Sequence, residues 1–347
     1  MKRTRPKRPT TKPTRVRRAK PSGTGSAVVA RLEEIEQTGG DGEVELGGGN
    51  ALSVSSLDKL FFPRDRITKG DVMRYYAGVA ESILPVMRDR PLVLKRYPDG
   101  IEGQSFYQQK APDRVPPGVR VETIRNERGE RQRRLIGGEL ATLLYTIQLG
   151  AISVDPWHSR VPKLEEADFT ILDLDPGPKA PFSRVIEVAK LVHEELDALK
   201  LTAVAKTSGS SGMHIVVPLE PAVSDETAVL AAQLIATRVA TRAASIATIE
   251  RSVGARAVGS VYIDYLQNIR AKTVAAAYSV RASPGATVST PLEWKEVDDA
   301  LDPRDFTITT VPDRVREHGD IWARVMRKGN SIRALVEVAP HGPKSRR

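Results

Sequence analysis

The sequence predicts an α/β fold, and three observations predict it. Short apolar, β-branched runs recur through the second half of the chain: Thr170-Ile171-Leu172, residues 201–205, 215–218 and 261–268 are all strand-sized. Helical stretches lie between them. Val185, Val188, Ala189, Val192 and Leu196 space an apolar stripe over residues 182–199, and an alanine-rich amphipathic segment covers about 225–244. The length, 347 residues with 40% hydrophobic content, suffices for a sizeable core, in two lobes or one large domain.

The upstream half reads as follows. Residues 28–37 suit a short helix, and residues 44–46 and 51–54 suit a hairpin around Gly47-Gly48-Gly49-Asn50. Thr68 is placed to cap a helix whose stripe is Val72, Tyr76, Val79 and Ile83. Strands follow over 91–97 and 105–110, a charged hairpin over 121–135 and a helix over 140–148. Downstream, residues 274–280 read as a strand and residues 315–326 as a helix.

The formal charge of +10 is concentrated at one end. Residues 1–20 carry ten Lys and Arg and no acid, while the rest holds 43 basic and 43 acidic groups. A Pro-, Thr- and Arg-rich arm reaching to about residue 25 builds no core; it is either a solvated tether or an attractor of polyanions. There is no cysteine, which excludes disulfides and thiolate metal sites. No run approaches the ~18 apolar residues of a membrane span, and the basic N-terminus lacks a secretory apolar core. A cytoplasmic protein, with no membrane partner and nothing demanding more than a monomer, is the expectation.

The chemistry is concentrated on the strand ending Asp173-Leu174-Asp175, which Pro176-Gly177-Pro178 closes. Alternation puts Asp173 and Asp175 on one face, with α-carbons roughly 6.5 Å apart. Two carboxylates that close suit a hard cation, Mg²⁺ or Mn²⁺, and otherwise form a solvated turn. Asp264, in the strand-like Tyr262-Ile263-Asp264-Tyr265, is a costly lone acid unless paired, and is the natural third ligand. The loop Thr207-Ser208-Gly209-Ser210-Ser211-Gly212-Met213-His214 joins two strands and offers backbone N–H groups and hydroxyls to an anion. It is no Walker loop, since no Gly-Lys-Ser/Thr follows.

Lys59 and Lys69 flank the start of the helix after Thr68, where a phosphate is favoured. Phe106 and Tyr107 are adjacent on a strand, so one of them is exposed, as a stacking platform beside Lys110. Three acids, the loop ending in His214, and Lys272 and Arg281 just beyond Asp264 fit nucleotidyl transfer with two metal ions.

These motifs in order, with Leu57-Asp58-Lys59-Leu60-Phe61-Phe62-Pro63, Phe106-Tyr107-Gln108-Gln109-Lys110 and Tyr278-Ser279-Val280-Arg281, resemble the polymerase domain of bacterial ligase D. That family is the end-joining branch of the archaeo-eukaryotic primase superfamily, and the resemblance spans about residues 44–318. It implies a two-lobed fold with an RRM-like antiparallel or mixed sheet flanked by helices. Residues 1–25 are then a disordered basic arm, 26–43 a linker or short helix, and 319–347 a C-terminal helix and basic tail.

The resemblance further implies that Asp173, Asp175 and Asp264 hold two Mn²⁺ or Mg²⁺ ions. Ser208, His214, Lys272 and Arg281 would bind the incoming NTP or dNTP. Lys59 and Lys69 would hold the 5′-phosphate of a DNA end or gap, and Phe106 and Tyr107 would pack on the template. The implied activity is filling gaps and extending ends in double-strand break repair, with Ku and a separate ATP-dependent ligase. The chain lacks the Lys-x-Asp-Gly motif of a ligase nucleophile.

Two departures stand out: Asp155-Pro156-Trp157 where many relatives have His-Pro-Trp, with a histidine displaced to 158, and Ser211 where many have a loop lysine. Two other readings remain. One is a DNA-end-binding factor without activity. The other is a haloacid-dehalogenase-like phosphatase, whose Asp-x-Asp usually lies early in the chain.

Overall fold

A computed structural model describes residues 24–126 and 128–337; most of the basic arm and the basic tail lie outside the described residues. The centre is a six-stranded sheet. Across it run Ala247–Thr248, Val261–Asp264, Phe169–Pro176, Met213–Pro218, Val204–Thr207 and Pro291–Leu292, all pairs antiparallel except the first. This is the mixed sheet expected, and the fold class stands.

The sheet divides two cores by simple alternation. On strand Phe169–Pro176, Leu172 and Leu174 face helices Phe182–Ala198 and Asp225–Arg242, in a core shared with Ile215, Val217 and Ile263. The first helix buries Val185, Val188, Val192 and Leu196; the second buries Ala228, Ala232, Ile235 and Val239 and is capped by Ser224, which accepts the Thr227 N–H. Phe169 and Ile171 point the other way, into the N-terminal core, with Val204 and Val216. Each such side chain removed from water contributes roughly 1.5–3 kcal/mol, which fixes the strand's register. Two residues further along that second face, apolar side chains give way to Asp173 and Asp175.

The N-terminal core is built on helix Thr24–Gln37, which buries Val28, Leu32 and Ile35, and on helices Lys69–Gly78, Ala80–Met87 and Leu140–Gln148. The first of these begins at Thr24, inside the stretch assigned to the arm. Thr68 caps its helix through a reciprocal pair with Asp71, as its sequence position indicates. Arg90 pins the start of the acidic strand to this core, donating two 2.6 Å bonds to Asp168 and one to Val86 O. Among the described residues, no helix is long and apolar enough to cross a membrane.

Three expected elements are corrected. Residues 274–280 form no strand: Tyr278 sits at φ +69°, and the amides of Ala276 and Tyr278 reach Val154 O and Ser289 O instead of one neighbouring strand. The helix expected over 315–326 is two helices, Val311–His318 and Ile321–Met326, parted by Gly319 at φ +70°. The strand expected over 201–205 is displaced to Val204–Thr207, which brings Lys206 into the sheet.

Candidate active site

Strand register assembles the site. Asp173 lies directly opposite Asp264 on one neighbour and opposite His214 on the other, and His214 lies opposite Lys206. Directly opposed residues project to the same face with β-carbons about 5 Å apart. Asp264, Asp173, His214 and Lys206 therefore form one row across four strands. Asp175, two residues beyond Asp173, shares the face and lies opposite Tyr262.

The row is closely packed. His214 Nε2 is 3.3 Å from Asp173 Oδ1, and His214 Nδ1 is 2.6 Å from Lys206 Nζ. Asp264 is not the lone acid its apolar surroundings suggest: it accepts from Tyr262 OH (3.2 Å), the Leu266 amide (2.9 Å) and Gln267 Nε2 (3.1 Å). Asn268 closes the turn, binding both Ile171 N–H and Ile171 C=O through its amide where the neighbouring strand has ended.

Charge states follow from this crowding. Burial raises Asp173, against the lowering pull of Lys206 and Arg281. Burial, then repulsion from Asp173 and Asp264, pushes Asp175 up to about 7. Asp175 itself lies exposed at the rim of the row. The donor set is entirely carboxylate oxygen and suits a hard divalent ion. As placed, no three acidic or imidazole groups among the described residues draw tight enough to enclose one.

The Gly/Ser loop turns tightly over the row. Ser208 Oγ accepts the amides of Ser210 and Gly212, each at 3.1 Å, and so holds the loop's own shape. Two glycines are dictated by contact: a β-carbon at Gly212 would lie 2.4 Å from Leu174 O, and one at Gly209, at φ +71°, 2.4 Å from Arg281 Cγ. The loop is thus wedged between the acidic strand and Arg281.

Two pockets open on this face. One, about 350 Å³, is lined by Asp175, Asp264, Tyr262, Arg256, Gln267 and Lys272. The other, about 330 Å³, is lined by Arg281, Asp155, Ser153, Ser210, Lys95 and Tyr107. Lys272 and Arg281, grouped together from sequence, therefore stand in different pockets, the lysine on the acidic side. Arg256, which sequence reasoning missed, lies over the Tyr262 ring at 3.9 Å.

Away from the sheet, Lys59 and Lys69 come together. The Lys69 amide donates to Lys59 C=O at 2.8 Å, and Lys69 Nζ donates to Ser55 O at 2.7 Å. Burial, then the charge of Lys59, lowers Lys69 to about 8. Lys59 Nζ reaches Asp99 at 3.0 Å in an exposed pair. Phe106 and Tyr107 sit on the edge strand Phe106–Gln108 and both are exposed, at 47% and 69%, where one was expected. Arg96 lies 5.1 Å from the Phe106 ring and Lys95 5.7 Å from the Tyr107 ring, on the paired strand.

The chain is similar to known proteins over most of its length. The profile of the LigD primase-polymerase domain matches residues 68–322. The multifunctional non-homologous end joining protein LigD of Pseudomonas aeruginosa is 34% identical over 274 residues, which are 78% of this chain and 32% of that protein. The chain belongs to the LigD primase-polymerase domain family. The bifunctional LigD of Bacillus subtilis is 30% identical over 77% of this chain and 43% of its own length. The solved polymerase domain from Mycobacterium tuberculosis Ligase D in complex with DNA superposes with a TM-score of 0.74 at 30% identity, covering 80% of this chain and 99% of that one. The chain thus spans about a third to two-fifths of the curated LigD proteins it matches.

The departures from the LigD pattern can now be placed. Asp155 lines the Arg281 pocket and accepts from Ser153 Oγ at 2.6 Å. His158 does not replace the missing histidine there. It is buried against Phe169, with ring centroids 4.8 Å apart, and burial, then Arg90, holds it down to about 3. Its neighbour Trp157 is fully buried in a small separate cluster with Val93 and Ile124.

Proposed function

We propose that this chain is a DNA-dependent nucleotidyltransferase that fills gaps and extends DNA ends with NTPs or dNTPs in double-strand break repair by non-homologous end joining. The observation that carries this reading is the single row Asp264, Asp173, His214 with Asp175 beside it, in a chain of the LigD primase-polymerase family.

In this reading a primer 3′-hydroxyl attacks the α-phosphate of the incoming nucleotide, forming a phosphodiester and releasing pyrophosphate. Asp173, Asp175 and Asp264 would hold two Mg²⁺ or Mn²⁺ ions, which when bound acidify that hydroxyl and neutralise the phosphates. Arg281, His214 and the loop capped by Ser208 face the triphosphate as preorganised donors. Lys272, on the acidic side, meets phosphate from the opposite direction.

Lys59 and Lys69 grip the 5′-phosphate across a gap, because an anion offsets the burial and then the repulsion that lower Lys69. The exposed rings of Phe106 and Tyr107 take template bases, with Arg96 and Lys95 close behind them. We place the protein in the bacterial cytoplasm beside DNA, working with Ku and an ATP-dependent ligase activity. The test is primer extension on a 5′-phosphorylated gapped duplex with NTPs or dNTPs and Mn²⁺. Single-nucleotide products are expected. Phosphate release without extension would mark a phosphatase, and binding with neither would mark a passive end-binding factor.

A further inference from the structure

Among the described residues, Tyr278 is the only aromatic residue with a positive φ, +69°. The Ser279 amide donates to Ala276 O at 3.1 Å, so Tyr278 fills the third position of a tight turn. A left-handed third position is ordinarily filled by Gly or Asn, because a bulky side chain there is strained. Such strain persists only where the surrounding structure over-determines it, and it collects where a functional group must be aimed.

The contacts that hold Tyr278 come from three directions. Its hydroxyl donates to Asp320 Oδ1 at 2.7 Å, and the same oxygen caps helix Ile321–Met326 by accepting the Ala323 amide at 3.0 Å. Its carbonyl accepts from Tyr75 OH at 2.9 Å, on helix Lys69–Gly78. Its amide donates to Ser289 O at 2.7 Å, and the residue is buried. A turn that only reversed the chain would need none of this, since glycine adopts the same φ unaided.

The turn starts a short ladder that ends at Arg281. Ser289 N–H donates to Ser279 O at 2.9 Å, and Arg281 N–H donates to Thr287 O at 2.7 Å. Arg281, three residues beyond Tyr278, lines the pocket with Asp155 and Ser210. Its stem has no slack against the Gly/Ser loop, since a β-carbon at Gly209 would lie 2.4 Å from Arg281 Cγ. Thr287 Oγ1 in turn donates to Gly209 O at 2.6 Å. Loop and arginine thus share one frame, and the left-handed turn is where that frame is tied to two helices outside the sheet.

We infer that Tyr278 is a positioning residue: its strained turn, tied to Asp320 and Tyr75, aims Arg281 into the pocket that receives the triphosphate of the incoming nucleotide. The inference rests on the polymerase reading for the identity of that anion. Tyr278 is buried and meets no substrate itself. Without the hydroxyl tether the turn is free to relax towards negative φ, which displaces the chain three residues before Arg281.

The test compares the full wild-type chain with Tyr278→Phe, which deletes the tethering oxygen and keeps the packed ring. KM for nucleotide in primer extension, and Kd for ATP with Mn²⁺ by calorimetry, should both rise at least about threefold, part of the roughly ten- to hundredfold that a hydrogen bond to a charged group is worth. kcat and binding of 5′-phosphorylated ends should stay as in wild type. Asp320→Ala, which removes the tether from its other side, should reproduce the effect and add nothing to Tyr278→Phe. In an Arg281→Ala background Tyr278→Phe should cost nothing further. Unchanged KM and Kd in Tyr278→Phe, or an undiminished further loss in the Arg281→Ala background, overturns the inference. So does a loss that falls equally on kcat and end binding, which marks a general structural role. A wild type that binds ATP with Mn²⁺ but extends no primer sinks the polymerase reading instead, and the Kd comparison still decides the role of Tyr278.

Discussion

The acid row on the sheet and the lysine corner at Lys59 and Lys69 solve the same problem, holding like charges close together, in opposite ways. In the row, the partners are supplied by the protein: Asp264 by Tyr262, Leu266 and Gln267, Asp173 by His214, and His214 by Lys206. Each sits on a paired strand, so its position is set by a ladder of hydrogen bonds before any substrate arrives. At the corner, one lysine is buried with a single carbonyl within reach of its Nζ, and the other lies exposed against an exposed Asp99. Burial, then their repulsion, lowers Lys69. The row is therefore built for accuracy, and the corner for grip. Accuracy in a buried row is insensitive to salt, whereas grip at a surface corner is screened by it.

The comparison breaks most sharply at Asp175. Asp175→Ala should reduce primer extension by at least about 10²–10³-fold, the scale of losing one dedicated electrostatic element of a site. Binding of a 5′-phosphorylated end should survive, because that rests on the corner. Loss of end binding in step with extension would show that the two regions are not separable. The next largest effect belongs to the corner itself. Lys59→Ala with Lys69→Ala should weaken binding of 5′-phosphorylated ends roughly ten- to a hundredfold, since a hydrogen bond to a charged group is worth about 1.5–3 kcal/mol. Ends bearing a 5′-hydroxyl should bind as before. Equal weakening on both kinds of end would remove the phosphate-holding role.

The two regions also differ in how far the sequence discloses them. Asp173 and Asp175 can be placed on one face from alternation alone, because strand periodicity is local. The cap at Thr68 is equally legible, since its partner Asp71 is three residues away. Asp264 stands out as a costly lone acid, but its register opposite Asp173 joins residues 91 positions apart and is not written in either segment. Lys206 is hidden for the same reason. Its acceptors on Ala275 and Ser289 come from far downstream, and the strand read from sequence over 201–205 stops one residue short of it. The false strand over 274–280 is the converse error. Its residues are apolar and buried, but Tyr278 in the left-handed region diverts the backbone to separate partners.

The smallest effect sharpens the contrast from the side of stability. Burial and then the charges of Asp173 and Asp264 raise Asp175 from 3.8 to about 7 in the folded state. A group raised on folding binds its proton more tightly in the native protein. The stability it confers is fully present below pH 3.8 and lost as pH rises through about 7. A divalent cation takes over the proton's role, so Mn²⁺ should raise Tm at about pH 7.5 and do so much less at about pH 5. The shift should be on the order of a few degrees, since a ligand at about a hundred times its Kd contributes about 2.7 kcal/mol. Asp175→Asn should flatten the decline between about pH 5 and 7.5 and shrink the Mn²⁺ shift, while Lys69→Ala leaves that shift intact. A shift of equal size in Asp175→Asn and wild type would place the cation somewhere other than the row, and with it the chemistry assigned there.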